Sequence, residues 1–377
     1  MAHTGARRIV WATAGLATVA VVLSLVGLPM AHATPSSAKL DTLTLQLRGP
    51  AQAEFAGYYA AKQLGFYDAF GLDVNIRPAD PATSPEQVVA SGHANIGIDW
   101  LLGLLVTRDT GTNLVDIAQM FARSGMAEIV KKSTGITSIA GLRGRTVGVW
   151  CCGNQLELYA ALVKHGMDPE HHKAVTIVNQ PFNMSTFLNG KVDAAQALTY
   201  NELALVLESK NRATGKLYTL DDLNVFKFQN EGTGMLEDEL FARQDWVTRH
   251  RDAAMRFVAA SDRGWIYCRD HVRQCAGIVL EQGPAQGKGH QTWMMNEINK
   301  LIWPSARGIG VMDPAAFKRT STIALRYKAI KKPASQEAYD AALPEAALQY
   351  LKDRVVGIDV YGRSYRPTAV RITPGGR

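Results

Sequence analysis

The 377-residue sequence lacks the short motifs that most often identify an enzyme. No glycine-rich loop is followed by a lysine and a Ser or Thr, which excludes the common phosphate-binding loop. No nucleophile elbow and no paired histidine motif are present, which disfavours a hydrolase. Hydrophobic residues make up 47% of the chain and charged residues 20%, as is ordinary for a soluble globular protein. We therefore expect no catalytic residue, no cofactor and no metal site.

A strong charge imbalance is also missing, since the net charge of +7 includes two arginines close to the N-terminus. The other basic residues are scattered apart from one cluster, which consists of Lys318, Arg319, Arg326, Lys328, Lys331 and Lys332. Aromatic residues are sparse in this cluster, so a solvated helical face explains it better than a nucleic-acid surface does. No nucleic-acid partner is expected.

The N-terminal segment has the composition of an export signal. Arg7 and Arg8 precede an apolar run over residues 9–28, and small residues at 31–33 form a cleavage site. This pattern predicts a signal peptide over residues 1–33. The run is also long enough to span a bilayer, so an uncleaved anchor is the alternative. In either case the folded part is expected outside the cytoplasm, in the periplasm or at the extracellular face of the membrane.

Cysteine is scarce, with four residues in two pairs and none near the predicted cleavage site, so lipid attachment there is not expected. Cys268 and Cys275 have six residues between them, and in an oxidising compartment we expect them to close a short loop as a disulfide. Cys151 and Cys152 are adjacent. The sequence is compatible with two alternatives at this pair, a vicinal disulfide or two partly buried thiols.

The folded part begins with a pattern typical of a βαβ unit. Leucines alternate over residues 43–47, helical spacing follows over 55–62, Gly65 stops the helix, and apolar residues alternate again over 72–76. The loop at residues 52–54 then falls at the carboxyl end of a strand, where open α/β sheets bind ligands. We therefore predict an α/β fold.

The same design recurs further along the chain. Residues 91–96 are echoed by residues 189–194, each time between a helix and a strand. About 340 residues remain after the predicted signal, more than one core usually organises, so two lobes are expected. The predicted division places residues 40–126 and 233–377 in lobe 1 and residues 127–232 in lobe 2. Crossovers are expected near residues 124–127 and 229–234.

Polar and aromatic side chains cluster in the loops and helix starts at the predicted strand ends. The candidate ligand-binding residues are Glu54, Phe55, Tyr58, Asp99, Trp100, Trp150, Asn154, Glu157, Tyr200, Glu202 and Glu231. Carboxylates accept hydrogen bonds from amino groups and aromatic faces stack on flat rings, so the mixture favours a flat ring with donor groups. An anion site would instead show Arg, Lys or hydroxyl groups at helix starts.

Several candidates also have a purely structural explanation. Glu157 and Glu202 lie in first helical turns, where a carboxylate is favoured by the helix dipole. Glu231 falls in a glycine-rich crossover and could serve as a hinge or cap. Of Tyr58 and Tyr59 one should face the core, and we expect it to be Tyr59. Trp150 could cover the core at its strand end.

The chain resembles the NMT1/THI5-like family over residues 43–374. The resemblance is carried by EFAGYYAAKQLGFYDAFGLDV (54–74), IGIDWLL (96–102), VGVWCCGNQLE (147–157), ALTYNE (197–202) and EGTGML (231–236). It implies a two-lobed periplasmic-binding-protein fold of the type with two crossovers and a ligand cleft between open sheets. Exported members are substrate-binding components of ABC transporters. The resemblance therefore implies that this protein is a monomer and that its partners are a small-molecule solute, a membrane permease and the ATPase of that permease. The implied solute is an aminopyrimidine precursor of thiamine, of the hydroxymethylpyrimidine or formylaminopyrimidine type.

Other functions stay open beside this one. The family includes a synthase branch that makes the thiamine pyrimidine from pyridoxal phosphate and a histidine of its own chain. The lysine and histidine of that branch match Asp99 and Gly103 here, and its iron motif is absent, so the enzyme is disfavoured. A carrier for riboflavin, sulfonate, nitrate or taurine is an alternative, as is a module that senses a solute for a membrane receptor.

Overall fold

Two five-stranded sheets organise the part of the chain that the computed structural model describes, which is residues 40–80, 82–169 and 174–377. The predicted signal peptide or anchor lies outside these residues. The strands are β1 (Asp41–Gln46), β2 (Leu72–Arg77), β3 (Ile96–Asp99), β4 (Leu114–Gln119), β5 (Met126–Lys131), β6 (Thr146–Val149), β7 (Thr176–Asn179), β8 (Ala194–Leu198), β9 (Leu223–Lys227) and β10 (Glu239–Arg243).

Helices flank both sheets. They are α1 (Ala56–Gln63), α2 (Phe66–Ala69), α3 (Pro85–Ala90), α4 (Leu101–Asp109), α5 (Leu156–Lys164), α6 (Ser185–Leu188), α7 (Glu202–Leu207), α8 (Phe228–Glu231), α9 (Gln244–Arg249), α10 (Arg251–Asp270), α11 (Val272–Leu280), α12 (Lys288–Ile302), α13 (Pro314–Arg326) and α14 (Ala342–Arg354). Among the described residues, no helix is both long enough and apolar enough to cross a membrane. The predicted first βαβ unit is confirmed as β1, α1 and β2, and Gly65 takes a left-handed φ of 70° beyond α1.

The two sheets share one topology. The first has the order β2-β1-β3-β10-β4 and the second the order β7-β6-β8-β5-β9. In each, the first three strands are parallel and the fourth runs antiparallel to both of its neighbours. That fourth strand always arrives from the other half of the molecule, through residues 120–125 into β5 and through residues 232–238 into β10. The chain therefore crosses between the sheets twice.

The echoed segments build the same turn in both sheets. The backbone nitrogen of Thr44 donates to Asn95 Oδ1 at 2.8 Å, and Thr146 donates in the same way to Asp193 Oδ2 at 2.9 Å. In return, the nitrogen of Asn95 donates to the carbonyl oxygen of Thr44 and that of Asp193 to the carbonyl oxygen of Thr146. Each side chain thus fixes the start of a parallel strand against its neighbour.

Helix α1 lies very close to α10 because two glycines meet there. A Cβ at Gly57 would overlap the ring of Trp265, and one at Gly264 would overlap the carbonyl oxygen of Gly57. Tyr58 packs edge-on against the buried Trp265, with ring centroids 5.6 Å apart. This contact fixes the short turn Ala53–Phe55, which precedes α1, at the edge of the first sheet.

All four cysteines are joined in pairs. Cys268, near the end of α10, forms a disulfide with Cys275 in α11, and both residues are fully buried. Cys151 and Cys152 form a disulfide between adjacent residues, and both are exposed. The basic cluster lies on α13 and the loop that follows, where its residues are exposed apart from the half-buried Arg319.

Candidate functional site

The carboxyl ends of β1 and β3 bring an arginine, an aspartate and a tryptophan together. Arg48 Nε lies 3.1 Å from Asp99 Oδ1, and its Nη1 lies 2.9 Å from Glu54 Oε1. The guanidinium carbon of Arg48 is 4.5 Å from the ring centroid of Trp100. Parallel neighbouring strands end at one edge of the sheet, which explains why these side chains meet. The result is a cation paired with two carboxylates beside an aromatic face.

Glu54 links this edge to the second sheet. Its carboxylate is buried and accepts a hydrogen bond from Gln52 Nε2 and another, of 3.4 Å, from the hydroxyl of Tyr200, which lies between β8 and α7. Burial, and then the charge of Glu54, raises the pKa of Tyr200 well above its ordinary value. Glu54 and Tyr200 were both predicted at the site, and the structure brings them together across the two sheets.

Three consecutive carboxylates, Glu237, Asp238 and Glu239, lie buried where the second crossover enters β10. Within the described residues, neither carboxylate oxygen of Asp238 has a hydrogen-bond partner. Burial, and then the charge of Glu54, raises the pKa of Asp238 well above its usual range, while Arg48 opposes the shift. The backbone of Asp238 is left-handed with a φ of 44°, which a residue other than glycine seldom adopts.

A second carboxylate lies against Asp99. Burial, and then the charge of Asp99, raises the pKa of Glu86 to about 8. The two carboxylates are packed against Gly103 on α4, where an added Cβ would overlap Glu86 Oε1 and lie 3.3 Å from Asp99 Oδ2. A larger side chain at position 103 therefore requires the end of the Glu86 side chain to move.

A cavity of about 520 Å³ opens between the two sheets at this edge. Its first wall belongs to the end of β3 and to α4, and its second wall to the loop between β6 and α5. The lining residues are Arg48, Asp99, Trp100, Leu102, Gly103, Val106, Cys152, Gly153, Asn154, Gln155, Leu156, Tyr327 and Ala329. This volume is in the range typical of small-molecule sites. Among the described residues, no group of His, Cys, Asp and Glu is arranged to hold a metal ion.

The loop after β6 is fixed by hydrogen bonds to Gln196 of β8. Gln196 accepts a hydrogen bond from the nitrogen of Trp150 at 3.0 Å and donates one to the carbonyl oxygen of Asn154 at 2.9 Å. Asn154, one of the candidate ligand-binding residues, lines the cavity, and its side-chain amide donates to the carbonyl oxygen of Cys151. Trp150 is buried and stacks on Phe182 with ring centroids 5.1 Å apart, so it does not line the cavity.

Glu157 joins the two crossovers instead of lining the cavity. Ser124 Oγ lies 2.9 and 3.1 Å from its two carboxylate oxygens and 3.0 Å from Glu237 Oε1. The nitrogen of Met235 donates to Glu157 at 2.7 Å, and that of Gly125 donates to Glu237 at 2.8 Å. Burial, and then the charge of Glu237, raises the pKa of Glu157 well above its usual range. Burial also raises the pKa of Glu237 to about 8, which favours the protonated form of this carboxyl.

The remaining predicted residues lie away from the cavity wall. Phe55 and Tyr58 are buried in the core, and Tyr59 is buried as well. Glu202 accepts hydrogen bonds from the nitrogen of Leu198 and the side chain of Asn201, and burial raises its pKa to about 7. Glu231 pairs with His165 at 3.1 Å. Their role in ligand binding stays a prediction.

Sequence reasoning missed Arg48, Glu86, Glu237 and Asp238. Arg48 had a usable signal, because it directly follows the alternating leucines of β1 and so falls at the carboxyl end of that strand. The acids had none of comparable strength, since their proximity depends on how α3 and the second crossover pack.

Two sheets of one topology, two crossovers and a polar cavity between the sheets define a two-lobed periplasmic-binding-protein fold. The periplasmic sulfonate-binding protein SsuA from Methylobacillus flagellatus KT has this fold. It superposes with a TM-score of 0.59 at 15% identity, over 89% of this chain and 99% of that one. Such a likeness establishes the fold alone.

The model of the family described as NMT1/THI5 like matches residues 52–274, and the chain belongs to that family. A protein of Haemophilus influenzae whose name assigns it to thiamine biosynthesis is 28% identical over 275 residues, which are 71% of this chain and 80% of that protein. The 4-amino-5-hydroxymethyl-2-methylpyrimidine phosphate synthase THI13 of Saccharomyces cerevisiae is 22% identical over 191 residues, 48% of this chain and 55% of the synthase.

Proposed function

We propose that the protein is the extracytoplasmic solute-binding component of an ABC importer and that its solute is a thiamine pyrimidine precursor of the hydroxymethylpyrimidine or formylaminopyrimidine type. The observation that carries this proposal is the first cavity wall, where Asp99 and Trp100 lie side by side. The thiamine-related names of its relatives support the same solute class.

The chemistry of this wall suits an aminopyrimidine. Asp99 Oδ1 already accepts from Arg48 Nε and from the backbone nitrogen of Trp100, and Oδ2 is the oxygen that can accept from an exocyclic amino group or a protonated ring nitrogen. Trp100 offers a face for the ring, and a well-placed aromatic pair adds about 0.5 to 1.5 kcal/mol beyond area burial. Arg48 is already paired with Glu54 and Asp99, so it contributes little free positive charge for an anion.

The mechanism is binding without covalent chemistry. The solute enters between the sheets, the lobes close by rotation at the two crossovers, and the closed complex docks on a membrane permease with an ATPase partner. We keep the lobe boundaries proposed from the sequence, at 126/127 and 232/233, and the exported location implied by residues 1–33. The protein acts as a monomer in this scheme.

The synthase alternative lacks its reactive histidine, because Gly103 stands at the matching position. A Cβ there would overlap Glu86 Oε1 and lie in tight contact with Asp99 Oδ2, so the present side chains are not arranged around a histidine. No step of that chemistry is assigned to this chain. The sulfonate alternative has one supporting observation, since Arg48 lines the cavity and could bind an anion if its carboxylate partners moved.

Thermal unfolding with a ligand panel tests the proposal. The panel contains hydroxymethylpyrimidine, its formylamino precursor, thiamine, riboflavin, nitrate, taurine and an alkyl sulfonate. We expect a pyrimidine at a hundred times its dissociation constant to stabilise the protein by about 2.7 kcal/mol. The Asp99→Asn variant keeps the shape of the side chain and should lose most of this gain. The matched control is Asp73→Asn, an exposed residue of β2 outside the cavity, which should retain it. Stabilisation by sulfonate, taurine or nitrate alone would overturn the proposed solute class.

A further inference from the structure

The second wall of the cavity contains a disulfide. Cys152 lines the cavity directly, and its bond to Cys151 closes a small ring across a single peptide unit. Both cysteines are exposed, whereas Cys268 and Cys275 are fully buried. The two disulfides of the chain therefore differ in what can reach them, and the exposed one is at the cavity.

The disulfide lies in a constrained part of this wall. Cys152 has a left-handed φ of 69°, a conformation that an unconstrained residue with a side chain seldom adopts. Gly153 follows with a φ of 109°, and a Cβ there would lie 2.5 Å from Leu102 Cδ2 on the first wall. The loop therefore packs directly against Leu102 of α4, and a residue larger than glycine at position 153 would overlap that side chain. Gln196 holds its ends at Trp150 and Asn154, and the disulfide fixes the part between them.

Sulfur is polarisable and packs well against aromatic rings. We infer that the Cys151–Cys152 disulfide forms the ligand-facing plate of the second wall, that a flat heteroaromatic ring lies between it and Trp100, and that its reduction weakens ligand binding. This inference rests on the proposed function, because it assigns a contact to the same solute. It makes solute capture dependent on the oxidation state of the compartment.

The chemistry of the switch is ordinary thiol–disulfide exchange. A thiolate of an external dithiol attacks one sulfur of the pair, which forms a mixed disulfide and releases the other cysteine as a thiol. The second thiol of the reagent then closes its own disulfide and releases the remaining cysteine. Two electrons and two protons pass from the dithiol to the protein. Access favours this reaction at the exposed pair over the buried one.

The experiment compares ligand affinity in three states of one preparation of the mature protein: oxidised, reduced with dithiothreitol, and reoxidised. The thiols in each state are counted by alkylation and mass spectrometry, and affinity for hydroxymethylpyrimidine is measured by calorimetry. We expect two alkylated residues after reduction, Cys151 and Cys152. We expect about tenfold weaker binding in that state, because a preorganised wall has become mobile, and recovery on reoxidation. The Cys151→Ser/Cys152→Ser variant should bind as weakly as the reduced protein and ignore the reductant.

The outcomes separate this inference from the proposed function. If the oxidised protein does not bind any pyrimidine, the proposed solute is wrong. If it binds and the fully reduced Cys151–Cys152 pair binds equally well, the solute stands and the role of the disulfide is wrong. Unchanged affinity in the double serine variant, with circular dichroism confirming its fold, would overturn the disulfide's role in the same way.

Discussion

The two lobes have one scaffold and two different chemistries. Their sheets agree in strand order and direction, and Asn95 and Asp193 make matching turns. At the strand ends facing the cavity, however, the first lobe presents the charged Arg48 and Asp99, whereas the loop of the second lobe presents uncharged side chains such as Asn154. The shared sheet scaffold therefore determines where a site can form, and the residues that directly follow each strand determine which ligand the site binds.

The largest expected effect comes from breaking the charged edge of the first lobe. Arg48→Met leaves Glu54 and Asp99 without their cation, and we expect a loss of about 3 kcal/mol in the free energy of unfolding, at the low end for a buried pair because 24% of the arginine side chain is exposed. Urea titration measures it. The comparison in the second lobe is Arg145→Met, directly before β6, which breaks a partly exposed pair with Asp193 and should cost about 0.5 kcal/mol or less. Equal losses of unfolding free energy in the two variants would contradict the proposed difference between the charged pairs of the two lobes.

The next effect concerns pH, at the junction where the two lobes meet. Glu237 has an ordinary pKa of 4.5 and a folded-state value of about 8, caused by burial. Between these values the unfolded chain releases a proton that the folded protein retains, so the free energy of unfolding should fall as the pH rises through this window, by at most about 1.4 kcal/mol per pH unit for each retained proton. Below the unfolded value the full stability is present.

The variant Glu237→Gln removes one titrating group from this junction, so its stability should decline less steeply between pH 5 and pH 8 than that of the wild type. Glu157 remains and its pKa is also raised, so part of the slope should persist. Glu281→Gln, an exposed glutamate that directly follows α11, serves as the control. Urea titrations at several pH values would refute the assignment if all three proteins gave parallel curves.

A smaller effect tests the aromatic part of the first wall. We expect Trp100→Ala to weaken pyrimidine binding by about 2 kcal/mol, or roughly thirtyfold, as for a central aromatic contact. Phe182→Ala in the second lobe removes a ring that is 66% exposed and stacks on Trp150 instead of lining the cavity, so affinity should change little. Calorimetry of both variants measures which of the two aromatic rings contacts the ligand. A larger loss in the Phe182 variant would place the ring on the other lobe.

The smallest effect tests the shared scaffold itself. Asn95→Ala and Asp193→Ala each remove one side-chain hydrogen bond to the start of a parallel strand, and each should cost about 1 kcal/mol. The charged acceptor should cost slightly more. Denaturant unfolding of the two variants measures the difference, and a severalfold disparity would show that the echoed turns are not equivalent.

Much of the fold was predictable because its signals are local. The first βαβ unit, the echo of residues 91–96 in residues 189–194 and the family motifs all lie within short segments. The site was harder because its acids converge from distant segments. Glu54 could be placed at a strand end from the sequence. Its contact with Tyr200, 146 residues away, depends on how the two sheets pack against each other. Glu157 has a site-like sequence context, yet packing directs it to Ser124 at the crossovers.

The crowding at Gly103 couples two positions of the chain. A Cβ at position 103 would lie 2.3 Å from Glu86 Oε1 and 3.3 Å from Asp99 Oδ2, so a larger residue there requires the end of the Glu86 side chain to move. The consequence is epistasis: the effect of a substitution at position 103 depends on which side chain position 86 carries.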